Sequence, residues 1–259
     1  MEWAYTIAGL AVGFIVGVTG MGGGALMTPL LILLFNISPA MAIGTDLLFA
    51  AITKAGGVWV HGRRGHVEWK IVRLLAAGSL PAAALTVFWL DYYSGGYGGD
   101  TKKLLTVSLG IALLLTAPAV LFKSQLLRLA QSRLNLQRFV HWRTLATVIA
   151  GVIVGTLVTL SSVGAGVLGT VILFFLYPHM AAVRIVGTEI AHAVPLTAVA
   201  GLGHMHLGNV DFMLLGALLI GSLPGIYIGS HLSGKIPEKV LRPILGTVLL
   251  LFGARFTFS

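Results

Sequence analysis

The 259 residues contain no cysteine. A disulfide framework, a thiolate nucleophile and a cysteine-type zinc site are excluded together, and the redox compartment is left unmarked. Charge is scarce too. Asp, Glu, Lys and Arg supply 10% of the chain against 57% hydrophobic residues, with a mean hydropathy of +0.95. That is too little polar surface to cover a soluble domain. Also missing are a complete Walker phosphate loop, a His-Glu-x-x-His zinc pair and any nucleophile motif. Their absence argues against direct ATP coupling within this chain, no enzymatic activity is expected, and no cofactor or resident metal is implied.

What remains is long apolar segments. They are continuous rather than short and alternating, which excludes a closed β-barrel and predicts an all-α, polytopic helical membrane protein. In a soluble protein the net charge of +9 would suggest nucleic acid. Here it reads as basic cytoplasmic loops, so the expected partners are the lipid bilayer and a small solute. Met1-Glu2-Trp3 offers no basic leader region, and the first apolar segment is expected to be retained.

That first segment, Trp3–Phe35, is too long for one crossing and too short for two, which need about 20 and about 40 residues. It is interrupted at Thr19-Gly20-Met21-Gly22-Gly23-Gly24, where each glycine costs a helix roughly 1 kcal/mol relative to alanine. A second segment, Leu145–Tyr177, is interrupted at Ser161-Ser162-Val163-Gly164-Ala165-Gly166. Between and after them lie spans of about Pro39–Val60, Ile71–Trp89, Leu104–Phe122, Phe212–Ile228 and Pro243–Phe256, and a helix carrying Glu189, His192 and Pro195. Ser38-Pro39 has the form of an N-cap followed by proline at the first helical position. Tyr92–Asp100 reads as an interfacial loop, and the basic stretch 123–143 as a surface-lying amphipathic linker. The chain thus divides into a first membrane repeat (1–122), a basic cytoplasmic linker (123–143) and a second membrane repeat (144–259).

The two halves align. Gly13, Gly22 and Gly24 fall on Gly155, Gly164 and Gly166. After a one-residue shift, Gly44-Thr45-Asp46 falls on Gly187-Thr188-Glu189, His61 on His204, Gly65-His-Val-Glu-Trp69 on Gly208-Asn-Val-Asp-Phe212, and Gly78-Ser-Leu-Pro81 on Gly221-Ser-Leu-Pro224. Agreement in order and spacing indicates an internal duplication. If each interrupted segment is re-entrant, the halves are inverted and the basic loops all fall on one side. The absence of Lys and Arg from His204–Asp211 favours that arrangement over a parallel one.

The Gly20-Met-Gly-Gly-Gly24 break running into Thr28-Pro-Leu-Leu31, with Ala42-Ile-Gly-Thr-Asp46, Gly65-His-Val-Glu-Trp69 and Gly78-Ser-Leu-Pro81, resembles the TauE/SafE sulfite exporter family of bacterial membrane proteins. The likeness extends over essentially the whole chain. It implies transport of sulfite, sulfonates such as sulfoacetate, or related sulfur-containing anions, and a place in the bacterial cytoplasmic (inner) membrane. Which anion, the direction, the coupling ion and the oligomeric state are not set by these motifs.

Interrupted segments in corresponding positions of two halves point to a transporter's binding site. The expected anion site is therefore Thr19, Gly20, Met21, Gly22, Gly23 and Gly24 facing Ser161, Ser162, Val163, Gly164, Ala165 and Gly166, with half-helix N-termini and hydroxyls as donors and Lys54 as the intramembrane cation. The alternative is that the glycines serve only close helix packing. Asp46 and Glu189 are acids at matching places inside apolar helices, and with His192 they are assigned to coupling and gating, including a proton-coupled cycle. The plainer reading of each acid is a cap or pair near its helix start. Glu189-Ile-Ala-His192 has the Glu-x-x-His spacing of carboxylate-bridged metal sites, but the first half offers Asp46 and Phe49 instead, so no metal is assigned. His204 and His206 read as solvated loop histidines. The function expected is a secondary transporter. An anion channel, and an intramembrane metalloenzyme built on Glu189, His192, His204 and His206, are the alternatives.

Overall fold

The computed structural model describes residues 2–19, 24–96, 100–126, 129, 140–232 and 238–258. There is no strand among them. The described helices are α1 (Glu2–Thr19), α2 (Gly24–Phe35), α3 (Pro39–Arg63), α4 (Trp69–Gly96), α5 (Thr101–Leu121), α6 (Val140–Ser161), α7 (Val167–Leu176), α8 (Ala182–His206), α9 (Phe212–Leu232) and α10 (Glu238–Phe258). Seven of them (α3, α4, α5, α6, α8, α9 and α10) are long and apolar enough to cross a membrane. The 21 residues of α5 rise about 31 Å, matching a hydrocarbon core of about 30 Å. The all-α membrane fold expected from composition is the fold found.

Helix ends differ from the sequence reading where local chemistry extends a helix past its apolar core. α4 runs through Tyr92 to Gly96, so the tyrosines expected in a loop are helical. α6 starts at Val140, inside the stretch read as linker. α10 starts at Glu238, which places Pro243 inside the helix rather than at its start. Much of the linker, including residues 130–139, lies outside the described residues. Three starts are capped as their side chains dictate. Ser38 Oγ accepts from Met41 N–H at 3.4 Å, Asp100 from Lys103 N–H at 2.9 Å, and Asp211 from Met213 and Leu214 N–H, both at 2.9 Å.

The helices pack in four pairs through glycines. On α1, a β-carbon added to Gly9, Gly13 or Gly17 would stand within 2.5 Å of the backbone carbonyl of Leu218, Ser222 or Ile226 on α9. On α6, Gly151 and Gly155 meet Leu75 and Ser79 of α4 in the same way, at 2.3 and 2.5 Å. In both pairs the contacts advance together along the chain, so the partners run parallel. In the other two pairs they run antiparallel. Gly44 of α3 lies under Asn209 and Gly187 of α8 under His66, while Gly110 of α5 faces Gly253 of α10 and Gly246 faces Leu121. Small residues are what allow such close backbone approach in a bilayer.

These directions place Arg63, Arg64, Lys70, Arg73 and Arg184 at one end of the bundle and Asp100 and Asp211 at the other. α1 runs toward the basic end, and α2 turns back. α6 starts from the basic end, stops at Ser161, and α7 returns toward it. Leu31, Ile43, Leu47, Leu109, Leu113, Leu196 and Leu214 fill the interior, while Leu34, Leu85, Phe88, Ile220 and Leu223 point outward where lipid would lie.

Candidate functional site

The second break is built by backbone that only glycine tolerates well. Ser162, Gly164 and Gly166 have φ of 58°, 113° and 142°, and α7 resumes after Gly166. Ser161 closes the end of α6. Its hydroxyl donates to the Leu157 carbonyl at 2.6 Å, and its oxygen accepts from Val163 N–H at 3.1 Å. The N–H groups of Gly169 and Thr170 are taken by the Gly164 and Gly166 carbonyls, at 3.2 and 3.1 Å, so those of Val167 and Leu168 remain at the positive end of the helix dipole.

Beside that start lies a cavity of about 270 Å³. α7 lines it with Gly166, Val167 and Thr170, α3 with Thr53 and Lys54, α8 with Val186 and Glu189, α1 with Gly17, and α9 with Ser230. Lys123, just past the end of α5, adds a second ammonium. These residues come from the basic-end portions of α1, α3, α8 and α9, so the cavity lies toward that end. The Lys54 ammonium donates to the Ala165 carbonyl at 2.5 Å and is within Coulombic reach of Glu189. The Glu189 carboxyl lies close to the Gly166 N–H and against Gly169, and its Oε1 is buried with no hydrogen-bond partner among the described residues. An internal carboxylate thus sits at the mouth of a half-helix N-terminus, opposite a lysine.

A second cluster is separate from the cavity lining. Asp46, fully buried, accepts from Thr28 Oγ1 of α2 at 2.5 Å and from Ser162 Oγ at 3.0 Å. The Ser162 hydroxyl, read from sequence as a donor to the anion, is thus turned onto Asp46. Neither acid caps its own helix, contrary to the plainer reading, because each faces a broken segment across the bundle.

Of the expected anion-site residues, the cavity gathers Lys54 and Gly166, with Glu189 from the coupling set. Val163, Gly164 and Ala165 are buried behind it. Gly20, Met21, Gly22 and Gly23 lie outside the described residues, between Thr19, the last residue of α1, and Gly24, the first of α2. His192 is buried and pairs with Ser79 Oγ at 2.8 Å, away from Glu189's cavity. His204 corrects the solvated-loop reading. It is buried within α8, and its Nε2 lies 2.9 Å from the Thr159 carbonyl, because α8 extends to His206. No cluster of three or more His, Cys, Asp or Glu arranged for a metal occurs among the described residues. Thr28 and Thr170 were missed in the sequence, although the register that puts Gly24 on Gly166 also puts Thr28 on Thr170, one turn past each break. Lys123 and Thr53 carried no such signal, whereas Ser79 falls on Ser222 in the repeat but was not read as a partner of His192.

Compared with known proteins, the chain matches the family model described as Sulfite exporter TauE/SafE over residues 5–256. It is 39% identical over 256 residues to the Probable membrane transporter protein YjnA of Bacillus subtilis (strain 168), covering 98% of this chain and 99% of that one. It is 30% identical over 250 residues to YdhB of the same organism, also a Probable membrane transporter protein, covering 93% and 96%. Similarity extends to the Probable membrane transporter protein MJ0441 of Methanocaldococcus jannaschii, 28% identical over 269 residues, covering 94% and 92%. No solved structure matches the chain. The chain belongs to the TauE/SafE family and is a multi-pass membrane transporter.

Proposed function

We propose that this member of the TauE/SafE family is a secondary transporter that exports small sulfur-containing anions, such as sulfite or a sulfonate, across the bacterial cytoplasmic membrane. The observation that carries the reading is the cavity at the second break, which Lys54, Lys123, Glu189 and the N-terminus of α7 line together. A small oxyanion is met there by a helix dipole and an ammonium. The family's printed description, sulfite exporter, supports the choice of anion.

In this reading Glu189 holds the place of the substrate. Its carboxylate lies beside the Gly166 N–H, and an entering anion displaces it or waits for its charge to be neutralised. The halves act as inverted repeats. α3 and α8 occupy corresponding places and run antiparallel. Thr45 Oγ1 accepts the Asp211 N–H at 3.1 Å while Thr188 Oγ1 accepts the Glu68 N–H at 2.9 Å, so each half's Gly-Thr pair holds the other half's loop. The positive-inside rule then puts the basic end, and the cavity, on the cytoplasmic side, from which an exporter loads.

The test is a binding survey of the purified protein with sulfite, sulfoacetate, thiosulfate and sulfate. We expect saturable binding of at least one, weakened about tenfold or more in Lys54→Met, a loss of about 1.4 kcal/mol or more. Binding of none of the four, or equal binding by Lys54→Met, overturns the proposal. Uphill accumulation in vesicles driven by an ion gradient separates a transporter from a channel.

A further inference from the structure

The acid of α3 stands outside the cavity and has an arrangement of its own. One oxygen of Asp46 takes both hydroxyls, Thr28 at 2.5 Å and Ser162 at 3.0 Å, and the other, Oδ1, is buried with no hydrogen-bond partner among the described residues. Lys54, the lysine of the same helix, is within Coulombic reach of Asp46 but donates to the Ala165 carbonyl and makes no ion pair with it. α6 ends at Ser161, so its C-terminal carbonyls bring the negative end of a helix dipole to the place where the carboxylate sits. Two negative poles removed from water are costly unless a cation lies between them.

We infer that Asp46, Thr28 and Ser162 form a binding site for a sodium ion at the C-terminal end of the broken helix α6. A single carboxylate among neutral oxygens matches one positive charge, whereas divalent ions recruit several carboxylates or retain several waters. The hydroxyl oxygens of Thr28 and Ser162 keep lone pairs for a cation once their protons turn away. Unwound backbone and half-helix C-terminal ends are where transporters hold Na⁺. Glu189, at the corresponding place, lines the cavity, whereas Asp46 lies outside it against Thr28 and Ser162. The ion would join α2 and α3 of one half to α6 of the other, tying occupancy to the relation between the halves.

The inference does not rest on the identity of the anion, and its test contains none. The thermal unfolding midpoint of the purified protein is followed against NaCl, with KCl and choline chloride at matched ionic strength and constant pH. We expect a saturable rise with sodium alone, absent in Asp46→Asn, and a half-saturating sodium concentration about tenfold higher in Ser162→Ala. Identical midpoints of the wild-type protein in all three salts overturn the site. So does a sodium response retained in Asp46→Asn or an unshifted half-saturation in Ser162→Ala, and the latter decides the question if Asp46→Asn does not fold.

Discussion

Replacing Gly155 by alanine should loosen the bundle, whereas the same replacement at Gly216 should tighten it. Both glycines are helical, so both substitutions remove the same backbone cost of about 1 kcal/mol. They differ in what the new methyl meets. At Gly155 it would stand 2.5 Å from the carbonyl oxygen and 2.8 Å from the Cα of Ser79. Ordinary contact begins near 3.4 Å, and backbone atoms cannot rotate aside, so α4 and α6 must part by about 1 Å. Overpacking of this kind costs about 1–3 kcal/mol. At Gly216 nothing lies within 4 Å. The two variants should therefore differ in stability by about 1–3 kcal/mol, or roughly 2–10 °C in unfolding midpoint for a chain of this size. Gly13→Ala, whose methyl would meet Ser222 at 2.5 Å, should repeat the Gly155 result at the α1–α9 contact. Thermal unfolding in detergent reads all three. Equal shifts for Gly155→Ala and Gly216→Ala would refute the argument that these glycines are set by backbone approach.

Glu189→Gln should tighten anion binding about tenfold, equivalent to about 1.4 kcal/mol, because it removes a negative charge from the cavity lining beside the start of α7; titration with the anion found in the survey checks it. Thr188→Val should cost about 1–3 kcal/mol in unfolding free energy by orphaning the Glu68 N–H, while Arg184→Ala should cost less than about 1 kcal/mol, since its pair with Glu68 is partly exposed. Single cysteines at the exposed positions Arg64 and His206 should react with an impermeant reagent from opposite sides of the membrane. Reaction of both from one side refutes the inverted arrangement.

Much of the fold was legible because membranes impose strong constraints. Apolar length alone placed α3, α5 and α9 within a few residues, and the two glycine-rich interruptions fell where α1 gives way to α2 and α6 to α7. Helix ends were less legible where polar residues continue a helix beyond the bilayer's reach, as at Tyr92–Gly96 and Glu238–Val240. Within the site, single residue types were read correctly as unusual, but their partners were not. Asp46 was visible as an intramembrane acid, whereas its pairing with Thr28 and Ser162 depends on how α2 and α6 pass α3, which no local pattern encodes. His204 was misread because a histidine beside Gly208-Asn209 suggests a loop, and the carbonyl of Thr159 that receives it belongs to another helix.

The correspondence between halves and the departures from it do different jobs. Gly13 against Ser222 is matched by Gly155 against Ser79, and Thr45 with Asp211 by Thr188 with Glu68. These contacts are backbone approaches and single hydrogen bonds, the kind that fix where helices lie and carry no net charge into the interior. The unmatched positions are the charged and titratable ones. Lys54 corresponds to Thr197, His192 corresponds to Phe49, and the longer Glu189 stands where the first half has Asp46. In the proposed reading, a symmetric frame with an anion-holding half and a carboxylate-holding half has two unlike poles that cannot both be satisfied by the same solute. Lys54 is the unmatched cation: it lines the cavity, donates to the Ala165 carbonyl and lies within Coulombic reach of both acids. On that logic Lys54→Thr, which restores the correspondence with Thr197, should weaken anion binding while leaving the α3–α8 packing undisturbed. A variant that unfolded instead would show that the lysine belongs to the frame.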